Sequence, residues 1–420
     1  MEPERSKEQP RLWTPVFVLI IALTLCTFMV GQGLNSGTSV FLVKAGYGSS
    51  LAGALALAFS LAAALARILL GPVIDSNRCS AVTIGGIAVL VIGTAMSAVV
   101  DDVALFTVSR LLQGAGFGAA TTAASTAAAN VLPSERLGEG IGYHGLGQAL
   151  AMSMGPALAL YLVGTDPSTN LFVGLSLVGV VGLIVSLKAR YERKWQKLPT
   201  TSAYFLKMSK EQADQGKQEA SGPFSQGGLR GALNIFEPRA LPGAIPMAIL
   251  CPTFGFGIFF TGLYGTTLGY EHAGLFYTVS AVVMVIVRLC SKRFMDTVPA
   301  IKTYTVAVAC ALIQSAMLLA APLGEGIFLA SGVFYGVALG ISLPLNQSVA
   351  VKNTPAERWG ATNALFLLTN DVGIGLSSLI WGAINDVWGF QVSILCIVVC
   401  QVLSYVAAWV VYPASAKRWK

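Results

Sequence analysis

The sequence predicts an all-α integral membrane protein of twelve transmembrane helices in two pseudo-symmetric six-helix bundles. Three observations carry this expectation. Only 11% of the 420 residues are charged, where a soluble chain carries about 25%. Hydrophobic residues make up 55% and fall into long runs. The second half of the chain also repeats the first at a nearly constant offset. Several soluble domains would each need a wetted surface, so they do not explain the missing charge. Disorder is excluded by the amount of apolar surface.

The apolar runs lie near 13–35, 49–71, 80–100, 103–127, 138–163 and 170–189, then near 242–268, 273–291, 299–321, 325–350, 358–382 and 388–412. Each is close to the roughly 20 residues that span a bilayer. The first run is too long for a signal-peptide core and has no clear cleavage site, so it reads as a retained span. Gly and Ala are dense inside the runs, notably over 52–66 and 119–129. In lipid, small residues let helix backbones approach closely.

With twelve spans and the N-terminus inside, Lys and Arg sort to one side. Arg5, Lys7, Arg11, Arg67, Arg78, Arg136, Arg288, Lys292, Arg293, Lys302, Lys352, Arg358, Lys417, Arg418 and Lys420 fall inside, with the stretch from Lys188 to Arg239. Lys44 alone falls outside, with Asp101, Asp102, Asp166, Glu271, Glu325 and Asp386 in outer loops. The expected setting is a multi-pass protein of a cell membrane, the bacterial cytoplasmic membrane, with both termini cytoplasmic. The net charge of +7 is thus a topology signal, and no nucleic-acid partner is expected.

The stretch from Tyr191 to Leu241 is long, polar and rich in Lys, Gln, Ser and Gly. It reads as a cytoplasmic linker, partly helical at best. The expected organisation is an N-terminal bundle over 1–190, a linker over 191–241 and a C-terminal bundle over 242–420. The seven cysteines form no CxxC pair, and there are only two histidines. No metal site, disulfide framework or cofactor is expected.

The halves align at several places. Pro133-Ser-Glu135-Arg136-Leu-Gly138 recurs as Pro355-Ala-Glu357-Arg358-Trp-Gly360, an offset of 222 residues. Gly114 and Gly118 match Gly336 and Gly340 at the same offset, and Arg67 and Asp75 match Arg288 and Asp296 at 221. Six is even, so both halves start on the same side and form parallel repeats about an axis along the membrane normal. Such a bundle places a cavity between the halves near mid-depth.

These motifs resemble the major facilitator superfamily, and in particular its bacterial drug and metabolite:proton antiporters. Gly71-Pro-Val-Ile-Asp75-Ser-Asn-Arg78 is similar to the signature loop between spans two and three. Arg110-Leu-Leu-Gln113-Gly114-Ala-Gly116-Phe-Gly118-Ala119 is similar to the span-four motif RxxQGxGxA. Ala151-Met-Ser-Met-Gly155-Pro156-Ala-Leu-Ala159-Leu160 is similar to the antiporter motif of span five. That motif keeps Gly155-Pro156 but has Ala, Ala and Leu where glycines stand at 151, 159 and 160. The loop motif also lacks its Gly before the basic pair. The resemblance implies alternating access and a proton site organised by Arg110.

Charged residues at depth are few. Arg110 lies about seven residues from the outer end of span four, roughly 10 Å deep, where a guanidinium is costly and by default functional. It can bind an anionic substrate group bidentately, organise a proton site as the resemblance implies, or snorkel outward. Asp371, near mid-depth in span eleven, reads as the only carboxylate inside a span. It is either a proton carrier or a structural acid bonded to a neighbouring helix or to Arg110. The mouth-facing group Arg67, Gly71, Asp75, Arg78, Arg288 and Asp296 reads as a gate. Gln32, Asn35, Gln113, Gln148, Gln314, Tyr335, Asn363 and Asn370 are, with Arg110, candidate cavity residues, and Gln148 matches Asn370 under the offset of 222. Gly114, Gly118, Gly155, Pro156, Gly336 and Gly340 are expected to pack helices.

The expected function is secondary active transport of a small organic molecule, as proton-coupled efflux by a monomer. The alternative is uptake of a small organic anion, with Arg110 as its ligand. A membrane-embedded enzyme lacks a catalytic constellation, and a receptor would not need Arg110 and Asp371 at depth. No Walker-type sequence is present, so ATP is not the expected energy source.

Overall fold

The computed structural model describes residues 11–74, 78–99, 102–133, 136–164, 169–202, 204–206, 208–209, 238–354 and 359–416. Asp75 lies outside the described residues, and so do the side chains of Asp296 and Asn363. The first six long helices are α1 (Pro15–Lys44), α2 (Ser49–Val73), α3 (Cys79–Ser97), α4 (Val103–Val131), α5 (Leu137–Val163) and α6 (Asn170–Lys188). The second six begin with α7, which breaks at Phe260 into Leu241–Phe259 and Thr261–Thr267. They continue as α8 (Leu275–Thr297), α9 (Ala300–Leu319), α10 (Glu325–Lys352), α11 (Trp359–Trp388) and α12 (Phe390–Ala416). Eleven of these helices contain a stretch long and apolar enough to cross a membrane, and α8 has a shorter apolar stretch, Leu275–Cys290.

Local chemistry sets the helix ends. The Thr14 hydroxyl accepts the Phe17 amide at 3.2 Å just ahead of Pro15, which sits where a missing N–H is harmless. Asp102 caps α4 through Leu105 N at 3.0 Å. Glycines with positive φ follow α1, α5, α7 and α11, at Gly46, Gly164, Gly269 and Gly389. These four turns lie at matching places in the two halves, on the face opposite the termini.

Helix α1 runs nine residues past the expected end at 35. Its extension begins with the buried polar residues Ser36, Thr38 and Ser39. The Ser36 and Ser39 hydroxyls donate back to Gln32 O and Asn35 O within the helix. Polar side chains satisfied in this way can remain in a buried span. Asp386, expected in an outer loop, instead lies in the last turn of α11.

Packing within each half follows one plan. Helices α1–α5, α2–α4, α3–α4, α1–α6 and α3–α6 contact one another, and α7–α11, α8–α10, α9–α10, α7–α12 and α9–α12 repeat these pairs. Small residues permit the approach. A Cβ at Gly114 or Gly118 would stand 2.1 or 2.3 Å from the Phe59 or Ala63 carbonyl oxygen of α2. At Gly336 it would stand 2.3 Å from Ser280 O of α8, and at Gly340 3.1 Å from Val287 Cγ1. Distances under 3 Å leave no room for a methyl group, so glycine sets the α2–α4 and α8–α10 spacing. Gly155 likewise meets Met29 O of α1 at 2.5 Å, and Pro156 follows it inside α5. Large apolar side chains such as Leu65, Leu69, Leu177, Val402 and Trp409 remain exposed on the outer helix faces, as expected of surfaces solvated by lipid.

The linker expectation needs revision at its start. Residues 189–209, where described, pack onto the first six helices. Ala189, Tyr191, Leu198 and Tyr204 are buried in one cluster with Leu12, Val131 and Leu132.

Candidate functional site

The halves meet along α2 and α11, which run antiparallel. A Cβ at Gly53 would stand 2.3 Å from Ser378 O, and one at Gly382 would stand 2.4 Å from Ser49 O. Ser378 Oγ donates to Gly53 O at 3.1 Å. At the end of the seam opposite the termini, the Asp386 carboxylate accepts from Ser49 N at 2.6 Å and Ser50 N at 2.7 Å. It therefore caps the first turn of α2 from the other half, where the helix dipole favours an anion. Toward the other end, Arg67 Nε lies 3.0 Å from Asp371 Oδ2. The side chains are 19% and 25% exposed, and the contact lacks hydrogen-bond alignment. It is a charge pair that can part without breaking a shaped hydrogen bond.

Asp371 is therefore held by Arg67, not by Arg110. The sequence pairs Arg67 with Asp75 by proximity along the chain; the fold brings it to α11. Arg288, the counterpart of Arg67, also reaches across the halves, with Nη1 donating to Gly145 O of α5 at 3.3 Å. The α2–α11 and α8–α5 contacts are thus related by the same repeat that relates the halves. Gly71 faces open space, and Arg78 is exposed at the start of α3.

Arg110 is 1% exposed and does not snorkel. Its Nη1 donates to Gln113 Oε1 at 2.8 Å, its Nη2 to Asn35 Oδ1 at 3.2 Å and its Nε to Leu55 O at 3.4 Å. The guanidinium carbon stands 4.7 Å from the Phe59 ring centroid, close enough for a cation–π contribution. Gln113, expected to line the cavity, instead supports Arg110 and donates Nε2 to Gly93 O and Ser97 Oγ. Among the described residues, no carboxylate lies within 4 Å of Arg110. Arg110 is thus held, among the described residues, by polar groups of α1, α2 and α4 and by the Phe59 ring.

Between the halves lies a small, narrow cleft, partly open to the outside. It is lined by Gln32, Met152, Pro156, Ile258, Tyr277, Ser280, Ala281, Met284, Tyr335, Gly336 and Leu339. Gln32 and Tyr335 of the expected lining are here. Asn35, Arg110, Gln113, Gln148, Gln314 and Asn370 are not among its lining residues. Gln148 Nε2 lies 3.5 Å from His144 Nδ1, while Asn370 donates to Phe366 O and accepts from Cys251 Sγ, so no hydrogen bond joins the matched pair. Gln314 is buried on α9, away from the cleft. Nothing in the sequence marks Tyr277, Met152 and Met284, because apolar and aromatic residues inside a span look alike, whether they face lipid or a cavity. Met side chains adapt to irregular ligands, and the Tyr277 hydroxyl is committed to Gly257 O and Ile258 O at 3.1 and 3.3 Å.

The sequence pattern of the Major Facilitator Superfamily matches residues 20–378. A staphylopine export protein of Staphylococcus aureus (strain Mu50 / ATCC 700699) is 24% identical over 321 residues, covering 74% of this chain and 75% of that protein. Among solved structures, a mutant of the nucleoside transporter NupG superposes with a TM-score of 0.72 at 14% identity, covering 94% of this chain and 100% of that one. A bacterial homologue of the human lysosomal transporter Spinster, inward-facing and unoccupied, gives 0.71 at 14% identity, with 96% and 97% covered. A mutant of the peptide transporter POT bound to sulfate gives 0.70 at 15% identity, with 95% of each chain covered. With twelve helices in two matched sets of six and a cleft between them, this chain belongs to the Major Facilitator Superfamily and is a multi-pass membrane transporter of small molecules.

Proposed function

We propose that this protein exports a small organic molecule by alternating access, driven by inward proton movement, with Asp371 as the proton carrier. The observation that carries the reading is the Arg67–Asp371 pair across the seam between the halves. A carboxylate at this depth is stable as an anion only beside a counter-charge. With the seam closed, Arg67 supplies that charge and Asp371 gives up its proton. When α2 and α11 part, Asp371 loses the counter-charge of Arg67 and becomes accessible to a proton from the opened face. Proton uptake from the opened face and release after closure then follow from one contact. The similarity to a staphylopine export protein supports the outward direction of the substrate.

In this reading the cleft around Gln32, Tyr335 and Met284 receives the substrate. The halves 1–190 and 242–420 rock about it, joined by 191–241. The gate is the cross-half pair of arginines, Arg67 and Arg288. The protein works as a monomer in the bacterial cytoplasmic membrane with both termini cytoplasmic, in line with the distribution of Lys and Arg. A second reading is uptake of an organic anion at Arg110. It is favoured by a buried guanidinium with no carboxylate partner among the described residues.

Reconstitution in liposomes with an internal pH dye tests the first reading. Substrate added on one side moves protons oppositely in the wild type. Asp371→Asn keeps substrate exchange and loses the proton signal. Full proton coupling in Asp371→Asn removes Asp371 from the mechanism. Electrogenic anion uptake without proton movement, lost in Arg110→Gln, would establish the second reading instead.

A further inference from the structure

The chain after α6 does not leave the protein. Glu192–Lys197 forms a short 3-10 helix folded back under α3 and α4. The Glu192 carboxylate accepts the Ser80 amide of α3 at 2.9 Å. Asn130 of α4 donates to the Tyr191 hydroxyl at 3.1 Å, and Tyr191 packs edge-on against Tyr204 at 5.0 Å. Trp195 packs on Phe205 at 5.4 Å, and Pro133 forms an antiparallel bridge with Ser202. This is a shelf with a fixed shape.

Its charge is one-sided. Lys188, Arg190, Arg193, Lys194 and Lys197 fall within ten residues, with Glu192 as the single acid among them. Glu192 faces inward to Ser80, and burial pushes its carboxyl above the usual range. Arg193 and Lys197 are exposed, as is Arg78 two residues before Ser80. The depth is set by α6. Ile184 and Leu187 are exposed on its lipid-facing side, and Lys188 follows at once. The cations therefore begin where the hydrocarbon ends, at the level of phosphates. Leu206 is also exposed on the shelf, as expected of an interfacial segment.

We propose that this shelf is a binding site for the headgroups of anionic phospholipids in the leaflet on the side of the termini. Topology alone asks only for positive charge somewhere on that side. It does not require a folded support that turns the one acid inward and leaves cations outward at headgroup depth. Basic clusters directly beside a transmembrane helix attract anionic lipids by about fivefold in affinity per cation.

The test uses the full chain in nanodiscs of phosphatidylcholine, with or without phosphatidylglycerol, read by native mass spectrometry for retained lipid and by thermal unfolding. The wild type is expected to retain phosphatidylglycerol and unfold at higher temperature with it, an effect weakened by salt. Arg193→Gln/Lys197→Gln alters exposed side chains only, so its unfolding in phosphatidylcholine should match the wild type. Its phosphatidylglycerol affinity should fall roughly 25-fold. Glu192→Gln keeps an oxygen for Ser80 N and removes the one acid, so its affinity should rise. Equal lipid retention in wild type and double variant overturns the proposal. So does full stabilisation by inorganic phosphate in phosphatidylcholine, which would make the shelf a site for free anions.

Discussion

The α2–α11 and α5–α8 contacts occupy equivalent places in the two halves, yet they are built differently. In the first, Arg67 meets the carboxylate of Asp371. In the second, Arg288 reaches the carbonyl of Gly145, and the position matching Asp371 under the offset of 222 is Ala149, fully buried. Both contacts hold an arginine across the halves; only the first carries an acid at the matched position that can gain or lose a proton. The duplicated scaffold keeps an arginine crossing between the halves on both sides, with Asp371 on one side where Ala149 stands on the other. In the proposed cycle the α2–α11 seam is the element whose closure depends on pH, and α5–α8 is the contact opposite it.

The comparison predicts unequal responses to matched changes. The largest is expected for Arg67→Ala, which leaves Asp371 in the seam without its counter-charge. Proton-coupled transport should be lost, with a destabilisation of up to about 3 kcal/mol in thermal unfolding at neutral pH. The loss should vanish when Asp371→Asn is added, which a double-mutant cycle would read. Next is Gly53→Ala. Its methyl would stand 2.3 Å from Ser378 O, and forcing backbones apart costs about 1–3 kcal/mol. Cysteines placed on the face opposite the termini should label faster as the seam loosens.

Arg288→Gln removes, among its contacts, the charge-assisted bond to the Gly145 carbonyl, a kind of bond worth about 1.5–3 kcal/mol before allowance for partial burial. Transport should slow while the ratio of protons to substrate stays unchanged. Equal loss of coupling in Arg288→Gln and Arg67→Ala would break the comparison. The smallest effect is expected for Asp386→Ala. Its carboxylate caps Ser49 and Ser50 from an exposed position, so about 0.5 kcal/mol is at stake, seen as a modest shift toward the form open on that face.

Much of this was legible in the chain. The spans followed from apolar runs, and the repeat of PxERxG with Gly114, Gly118, Gly336 and Gly340 identified the duplication. Asp371 stood out because an acid at depth is rare. Its partner did not, because the pairing joins residues about three hundred apart and depends on which helices face each other. Arg67 was read with Asp75, its neighbour in sequence. Arg110 was seen as unusual, but its cage of Asn35, Gln113, Leu55 O and Phe59 draws on three helices. The shelf after α6 resembles a linker in sequence because its composition is polar. The interleaved Tyr191, Trp195, Leu198 and Tyr204 were the signal that it packs.

The central claim is that ionisation of Asp371 closes the α2–α11 seam. Spin labels at Leu69→Cys and Leu367→Cys, in a background without the exposed Cys290, would report the distance between α2 and α11 at the end of the seam that holds the Arg67–Asp371 pair. In the wild type, a short distance should dominate at mildly alkaline pH, and a longer one should grow as pH falls and the charge pair is lost. Asp371→Asn should show the longer distance at every pH. A distance that titrates in Asp371→Asn as it does in the wild type would contradict the account.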